Sequence, residues 1–395
     1  MDCVDHMHDK TAASLLDLVR SQPLINLQSR GIYARVSCDK LRVSLSYDQA
    51  EADPCDDIAS LCRGIVIASD SQINENDVIC DPRIVARPFK RFFNHGQNGA
   101  KITDLSRAII QTKYDGTMII MYHFNDVWHI ATRSVPDADV EHRDGKTYAQ
   151  MFWRLWQDKD TSILDVTKTH VFELIGPKNR HVVNHQADEL VLLGVIDTLT
   201  GSESDPRSVA QALDVKHAYT DKTLVSLESL AESIKDADPS DCEGFVVVEI
   251  NGDTFNRVKV KCPRFCVANS AQQLLDRSPR TALSVVMSDT FDDVVASAFL
   301  TDSVRAAVLD LQSRIKSWCS SSEEELKRIR ELAKDRKVMA REISLLKNKL
   351  LASGAFAIID RNVSVMLWLR GRITAPCVSK RFMNTVLEAV GGYHI

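Results

Sequence analysis

Lys113 stands one residue ahead of an Asp-Gly pair in "QTKYDGTMIIMY", residues 111–122. A lysine amine attacks an electrophile only when neutral. Its ordinary pKa is about 10.4, so near pH ~7.5 roughly one molecule in a thousand is ready. Crowding by other cations favours the uncharged form, and a three-unit shift needs about 4 kcal/mol of differential interaction. The chain supplies candidates for that crowding. Lys259 and Lys261 in "RVKVK" lie two apart, so in a strand both face one side. The same cations could hold charge developing on a phosphate and its leaving group.

Carboxylates and further cations follow in a fixed order. "FELIGPKNR" places Glu173 inside an apolar run, and "EGFVVVE" places Glu243 just before a glycine, where a backbone or phosphate can approach closely. Arg133 in "ATRS" closes the run after Lys113, while Arg63 in "CRG" and Arg91, Phe93 and Asn94 in "KRFFN" lie upstream. Each segment alone has a structural reading. Asp-Gly is a hairpin turn signal, Glu173 could satisfy an arginine, and alternating lysines suit the solvated face of a strand. The ordered set carries the weight.

The elements that must position these groups are mostly short strands. "GIYARVSCDKLRVSLSYD", "CRGIVIA", "TMIIMYHF", "VWHIATRS", "HVFELIG", "ELVLLGVID", "EGFVVVEI" and "RVKVK" read as β, with Lys113 presented at a hairpin turn shaped by Asp115 and Gly116. Residues 9–21 and "KTYAQMFWRLWQD" read as amphipathic helices. This texture predicts an α+β domain of mainly antiparallel sheets flanked by helices. After Pro263 helical patterning takes over, predicting an all-helical C-terminal domain; the expected division is 1–270 and 271–395. The clearest helical element begins at Ser322, which with Glu325 matches a capping box ahead of an apolar stripe through Leu326, Ile329, Ala333, Met339, Ile343, Leu346 and Leu350.

At 395 residues the chain can hold two cores. Its net charge of −5 means that any nucleic-acid surface is a local patch. Between Lys327 and Lys349 nine Lys or Arg stand against three Asp or Glu, which marks such a patch. No apolar run approaches the ~18–20 residues of a membrane span, and the polar N-terminus does not read as a leader. The ten cysteines are scattered, and "CPRFC" has no matching second pair, which points to reduced cytoplasmic thiols rather than zinc or disulfides.

The series K-x-D-G, F-E-x-x-G-P, E-G-F-V, K-V-K matches motifs of the covalent nucleotidyltransferases. Together with "CRGIVI", "RPFKRFFN", "LVLLGVID" and "KVKCPRF", it resembles the T4 phage RNA ligase 1 family over about Leu61 to Phe265. "RGI" and "FFN" distinguish that family from DNA ligases and capping enzymes. Two departures stand out: Arg133 occupies a position usually held by lysine, and Phe265 stands where the T4 enzyme has tyrosine.

The resemblance implies an ATP-dependent RNA ligase that joins 5′-phosphate and 3′-hydroxyl ends, serving RNA or tRNA repair. Lys113 would be the lysyl-AMP nucleophile, Glu173 would bind ribose, and Glu243 would organise Mg2+, with Mn2+ substituting. Lys259 and Lys261 would contact the α-phosphate. Arg63, Arg91 and Phe93 would handle the outer phosphates, Arg133 would touch phosphate, and Gly116 would help form the ATP site. Asp115 would help poise the amine. The implied partners are RNA ends, including cleaved tRNA anticodon loops, and an end-healing kinase-phosphatase; the chain would act as a cytoplasmic monomer. A DNA ligase, a capping guanylyltransferase and a non-catalytic RNA-binding protein are the alternatives. The first two normally place a β domain after "KVK", where this chain turns helical, and the third would be expected to lose Lys113.

Overall fold

The computed structural model describes residues 9–49, 51–141, 145–274, 278–296, 300–333, 335–374 and 378–392. The chain divides into two compact units, Met1–Cys266 and Val267–Ile395, each with its own core.

The first unit contains three sheets. An antiparallel four-stranded sheet has the order β1 (Ile32–Val36), β2 (Arg42–Tyr47), β3 (Arg63–Ala68), β4 (Arg83–Ala86). A second sheet runs β10 (Glu203–Ser204), β9 (Glu189–Asp197), β8 (Lys168–Ile175), β6 (Thr117–Phe124), β7 (Val127–Thr132), with β11 (Lys216–His217) parallel to β9. The third runs β13 (Thr254–Lys261), β12 (Gly244–Asn251), β5 (Ala108–Thr112). Alternation of apolar and polar residues suits strands buried on one face, and the near-continuous apolar runs of β3 and β12 suit strands buried on both. The helix Tyr148–Trp156 covers one face of the second sheet. Its Phe152 and Trp156 rings pack edge-on against Phe172 of β8, and burying each such ring contributes about 1.5–3 kcal/mol. On another core, Val66, Ala68 and Ala86 of the first sheet meet Ile120, Tyr122 and Ala131 of the second.

One expectation needs correction here. Lys113 does not sit on a hairpin, because β5 and β6 belong to different sheets: β5 pairs β12, whereas β6 pairs β7 and β8. Residues 113–116 are a sheet-to-sheet crossing. An Asp-Gly pair signals a local reversal but not the partner of the strand that follows it.

The second unit is helical. Its elements include Pro279–Val286, Asp302–Leu332, Arg336–Ser344, Lys349–Arg361, Val365–Ile373 and Lys380–Ala389 around one apolar core. The expected capping box is a second correction. Ser322 and Glu325 lie inside the helix Asp302–Leu332, which Thr301 caps by accepting from the Val304 N–H. Val304, Val308, Leu311, Ile315, Cys319, Ser322, Leu326 and Ile329 form one continuous buried ladder at spacings of three and four. Ser322 fills a core position in it. The apolar stripe read as one helix is divided among three, since Met339 and Ile343 fall on Arg336–Ser344 and Leu350 on Lys349–Arg361. Lys334 lies outside the described residues.

Candidate active site

Strand register brings three distant residues to one sheet end. Gly244, the first residue of β12, pairs with Lys261, the last of β13, and Phe245 pairs with Thr112, the last of β5. Lys113 and Glu243, the neighbours of those strand ends, therefore meet Lys261. The Lys113 N–H donates to the Gly244 carbonyl at 3.0 Å, and the Cys262 N–H donates to the Glu243 carbonyl at 3.0 Å. Gly244 adopts φ +140°, and a Cβ there would lie 2.2 Å from the Val260 carbonyl oxygen, so only glycine permits this pairing. The side chains converge in turn. Lys113 Nζ lies 2.7 Å and Lys261 Nζ 3.0 Å from the same Glu243 oxygen, Oε1, in a carboxylate only 4% exposed.

The crossing from β5 to β6 brings in Glu173. Its Oε1 accepts from the Gly116 N–H at 3.2 Å, and Gly116 has no room for a side chain because a Cβ would lie 2.3 Å from the Leu174 carbonyl oxygen. Asp115 was expected to poise the amine, but its carboxylate is used elsewhere. Oδ2 accepts from the backbone N–H of Val182 and of Val183, at 2.7 and 2.9 Å. Asp115 thereby fixes the segment after the Gly-Pro turn, which is further tied by the Asn184 N–H donating to the Ser240 carbonyl.

Arg63, Arg91, Phe93 and Arg133 gather around aromatic rings rather than carboxylates. The Arg91 and Arg133 guanidinium carbons lie 4.6 and 4.4 Å from the Tyr47 ring centroid, and Arg91 also lies 4.9 Å from that of Phe93. Arg133 Nη2 donates to the Tyr47 carbonyl at 2.6 Å. Arg63 and Lys259 both approach the Phe92 ring, at 4.9 and 4.6 Å. Backbone pairing explains that convergence. The Lys259 N–H donates to the Phe93 carbonyl and the His95 N–H to the Lys259 carbonyl, so "RFFN" adds itself to β13. Among the described residues, buried Arg63 Nη1 and Arg133 Nε have no hydrogen-bond partner. Unpartnered buried guanidinium nitrogens suit an anionic ligand. Tyr47 and Phe92 were not singled out from sequence. No motif marks Tyr47, whereas Phe92 could have been found in "KRFFN" beside Phe93.

Electrostatics separate the groups. Burial pushes the Glu173 carboxyl up to about 7, with nearby Glu243 adding to the rise, against the opposing pull of Lys113, Arg63 and the Gly116 N–H. Burial, reinforced by Arg63, Lys113 and Lys261, brings the Lys259 ammonium down to about 7. The sequence reading places that cationic crowding on Lys113; in the structure the crowded amine is Lys259, while Lys113 meets a carboxylate.

Beyond Lys113 opens a cavity of about 490 Å³, lined by Tyr114, Ile175, Val183, His185, Cys242 and Phe245 among others. Its size and mixed apolar and polar walls suit a nucleobase and sugar. Among the described residues no group of three or more His, Cys, Asp or Glu could hold a metal unaided. The buried Glu243 carboxylate beside a cationic cleft fits a hard divalent ion only if ligand phosphates complete its oxygen shell.

The family model described as RNA ligase matches residues 61–265. A protein of Thermovibrio ammonificans is 25% identical over 221 residues, covering 54% of this chain and 57% of its own length. The RNA ligase of Rhodothermus phage RM378 is 23% identical over 275 residues, covering 54% of this chain and 62% of the phage protein. The chain thus spans less than two thirds of either relative. An archaeal ATP-dependent RNA ligase structure aligns at 12% identity and TM-score 0.43, over 88% of this chain and 90% of that one.

Proposed function

This chain belongs to the RNA ligase family, and from that premise we propose that it joins RNA ends at the expense of ATP, through a lysyl-AMP and then an adenylylated RNA. The observation that carries the reading is the meeting of Lys113 and Lys261 on one Glu243 oxygen, in a unit whose Arg63 and Arg133 each keep a buried guanidinium nitrogen without a hydrogen-bond partner among the described residues.

In the first step the Lys113 nitrogen bonds to the α-phosphorus of ATP as the bond to pyrophosphate breaks. The amine must lose a proton, and the nearest acceptor is Glu243 Oε1, at 2.7 Å. Lys259 and Lys261 face the α-phosphate. Arg63, Arg91 and Arg133 meet the outer phosphates, where guanidinium forks match phosphate oxygens. Glu173 faces the ribose; with its carboxyl near 7 it can accept from or donate to a sugar hydroxyl. The base and sugar occupy the cavity behind Tyr114 and Val183. Mg2+ or Mn2+, held by Glu243 and phosphate oxygens, would supply charge neutralisation as a Lewis acid. AMP then passes to an RNA 5′-phosphate, and a 3′-hydroxyl attacks that phosphate and expels AMP. The first unit carries this chemistry and the second contacts RNA through its basic helices. Cleaved anticodon loops are a natural substrate class, with an end-healing kinase-phosphatase acting before ligation.

The test uses ATP labelled at the α-phosphate with magnesium, followed by denaturation. Acid-labile label is expected on the wild-type polypeptide and none on Lys113→Ala. Label kept by the alanine variant overturns the nucleophile, and sealing of nicked duplex DNA but never RNA overturns the substrate.

A further inference from the structure

Three cations project from alternate positions of β13: Arg257, Lys259 and Lys261. Each lies over an aromatic ring. Arg257 is 4.0 Å from the Phe89 centroid, Lys259 4.6 Å from that of Phe92, and Lys261 5.4 Å from that of Phe265. Two of the three also have a carboxylate. Arg257 Nη1 donates to Glu203 at 2.7 Å, and Lys261 sits on Glu243 at 3.0 Å. Among the described residues, Lys259 has no ion pair, although burial and three neighbouring cations weigh against its charge.

Phe92 serves a second cation of the same kind. The Arg63 guanidinium carbon lies 4.9 Å from its centroid, and Arg63 Nη1 is buried without a hydrogen-bond partner among the described residues. The negative face of an aromatic ring attracts a cation by about 0.5–2 kcal/mol, more when desolvated. Unlike a carboxylate, it leaves the donors free. Lys113 and Lys261 are already paired with Glu243, and an incoming phosphate would first have to break those pairs, whereas Lys259 and Arg63 share the Phe92 face.

We propose that Phe92 is a positioning residue, whose ring holds Lys259 and Arg63 together as donors that, among the described residues, no carboxylate pairs. The gain is preorganisation: the cations meet the nucleotide phosphates without first leaving another anion. Phe89, three residues earlier in the same segment, is the internal control, because its cation is already neutralised by Glu203.

This inference rests on the proposed adenylylation, and one experiment separates the two. Phenylalanine carrying one, two and three ring fluorines is placed at position 92 and, separately, at 89. Kinetics of label transfer from α-labelled ATP to the chain are then measured. Fluorination drains the ring face while nearly preserving shape. The expected result is a stepwise fall in kcat/KM for ATP at position 92, reaching roughly 5- to 30-fold for three fluorines, with a flat series at 89. A flat series at 92 in a chain that still takes label overturns the role of Phe92 and leaves the function standing. An equal fall at 89 overturns it as well, since the effect would then be one of packing. Wild type that takes no label overturns the function itself.

Discussion

Lys113 and Lys261 rest on a single carboxylate oxygen, Oε1 of Glu243, at 2.7 and 3.0 Å. Two ammonium groups, one from the crossing after β5 and one from the last residue of β13, share one acceptor, itself buried, at the end of a three-stranded sheet. Nucleotide phosphates entering this arrangement can take over Lys261 and leave Glu243 to the amine. Glu243→Gln keeps the shape, removes the charge and takes the shared counter-ion from both ammoniums. Labelling of Lys113 by ATP should fall about 100-fold or more, the scale of losing a positioned proton acceptor. A Glu243→Gln variant labelled at the wild-type rate would remove this carboxylate from the reaction.

The pH dependence of stability should show two opposed slopes. The Glu173 carboxyl titrates at about 7 when folded, against an ordinary 4.5. The folded chain therefore holds this proton more tightly, and stability falls as pH rises from about 4.5 to about 7. Lys259 titrates at about 7 when folded, against an ordinary 10.5, so its contribution is complete above about 10.5 and is lost as pH falls towards 7. Both groups make the free site least comfortable near neutrality, where ATP would relieve it. Melting temperatures across pH 4.5–7 should fall by roughly 2–6 °C more in wild type than in Glu173→Gln. Lys259→Met should flatten the alkaline slope. Parallel curves for wild type and variants would contradict these assignments.

Asp115 should act through the wall of the cavity. Its Oδ2 holds the Val182 and Val183 amides, and Val183 lines the cavity. Asp115→Ala strands two buried N–H groups, at about 1–3 kcal/mol each. Asp115→Asn retains a carbonyl acceptor and should recover more than half of that loss. Chemical denaturation measures both variants, and hydrogen exchange of the 177–188 peptide should accelerate in Asp115→Ala alone. Unchanged exchange there would show that other contacts hold the segment.

What sequence could and could not reveal follows from the range of each interaction. The α+β character of the motif-bearing region was legible because alternation and turn residues are local, and the facing of Lys259 and Lys261 follows from a two-residue period. The crossing at 113–116 was not, since only pairing of β5 with β12, about 130 residues onward, distinguishes it from a hairpin. Ser322 misled for a related reason: Ser-x-x-Glu fits a helix start and two turns of a helix interior equally, and burial of Ser322 decides between them. Asp115 was singled out, but its partners lie 67 and 68 residues away. Tyr47 carries no signal of its own, and Phe92 only its place beside Phe93 in "KRFFN". Their importance comes from which cations tertiary packing sets over their rings.

RNA contact by the second unit makes a separable prediction. Of its basic residues, Arg330 donates to the Ile359 carbonyl and Arg336 pairs with Asp360, so both are engaged within the unit. Lys327, Arg328, Lys337, Arg341 and Lys347 are exposed and make no ion pair among the described residues, leaving them free for phosphate. Exposed cations meeting single-stranded RNA release counter-ions, so log affinity should fall with log salt at a slope of about −0.7 per phosphate contact. Changing Lys327, Arg328 and Arg341 together to glutamate should weaken RNA binding and flatten that slope by roughly 2, three lost contacts at this rate. Labelling of Lys113 by ATP should remain at the wild-type level, because the chemistry is assigned to the other unit. Binding isotherms at several salt concentrations measure the slope, and an unchanged slope with intact ligation would move the RNA-binding surface elsewhere on the chain.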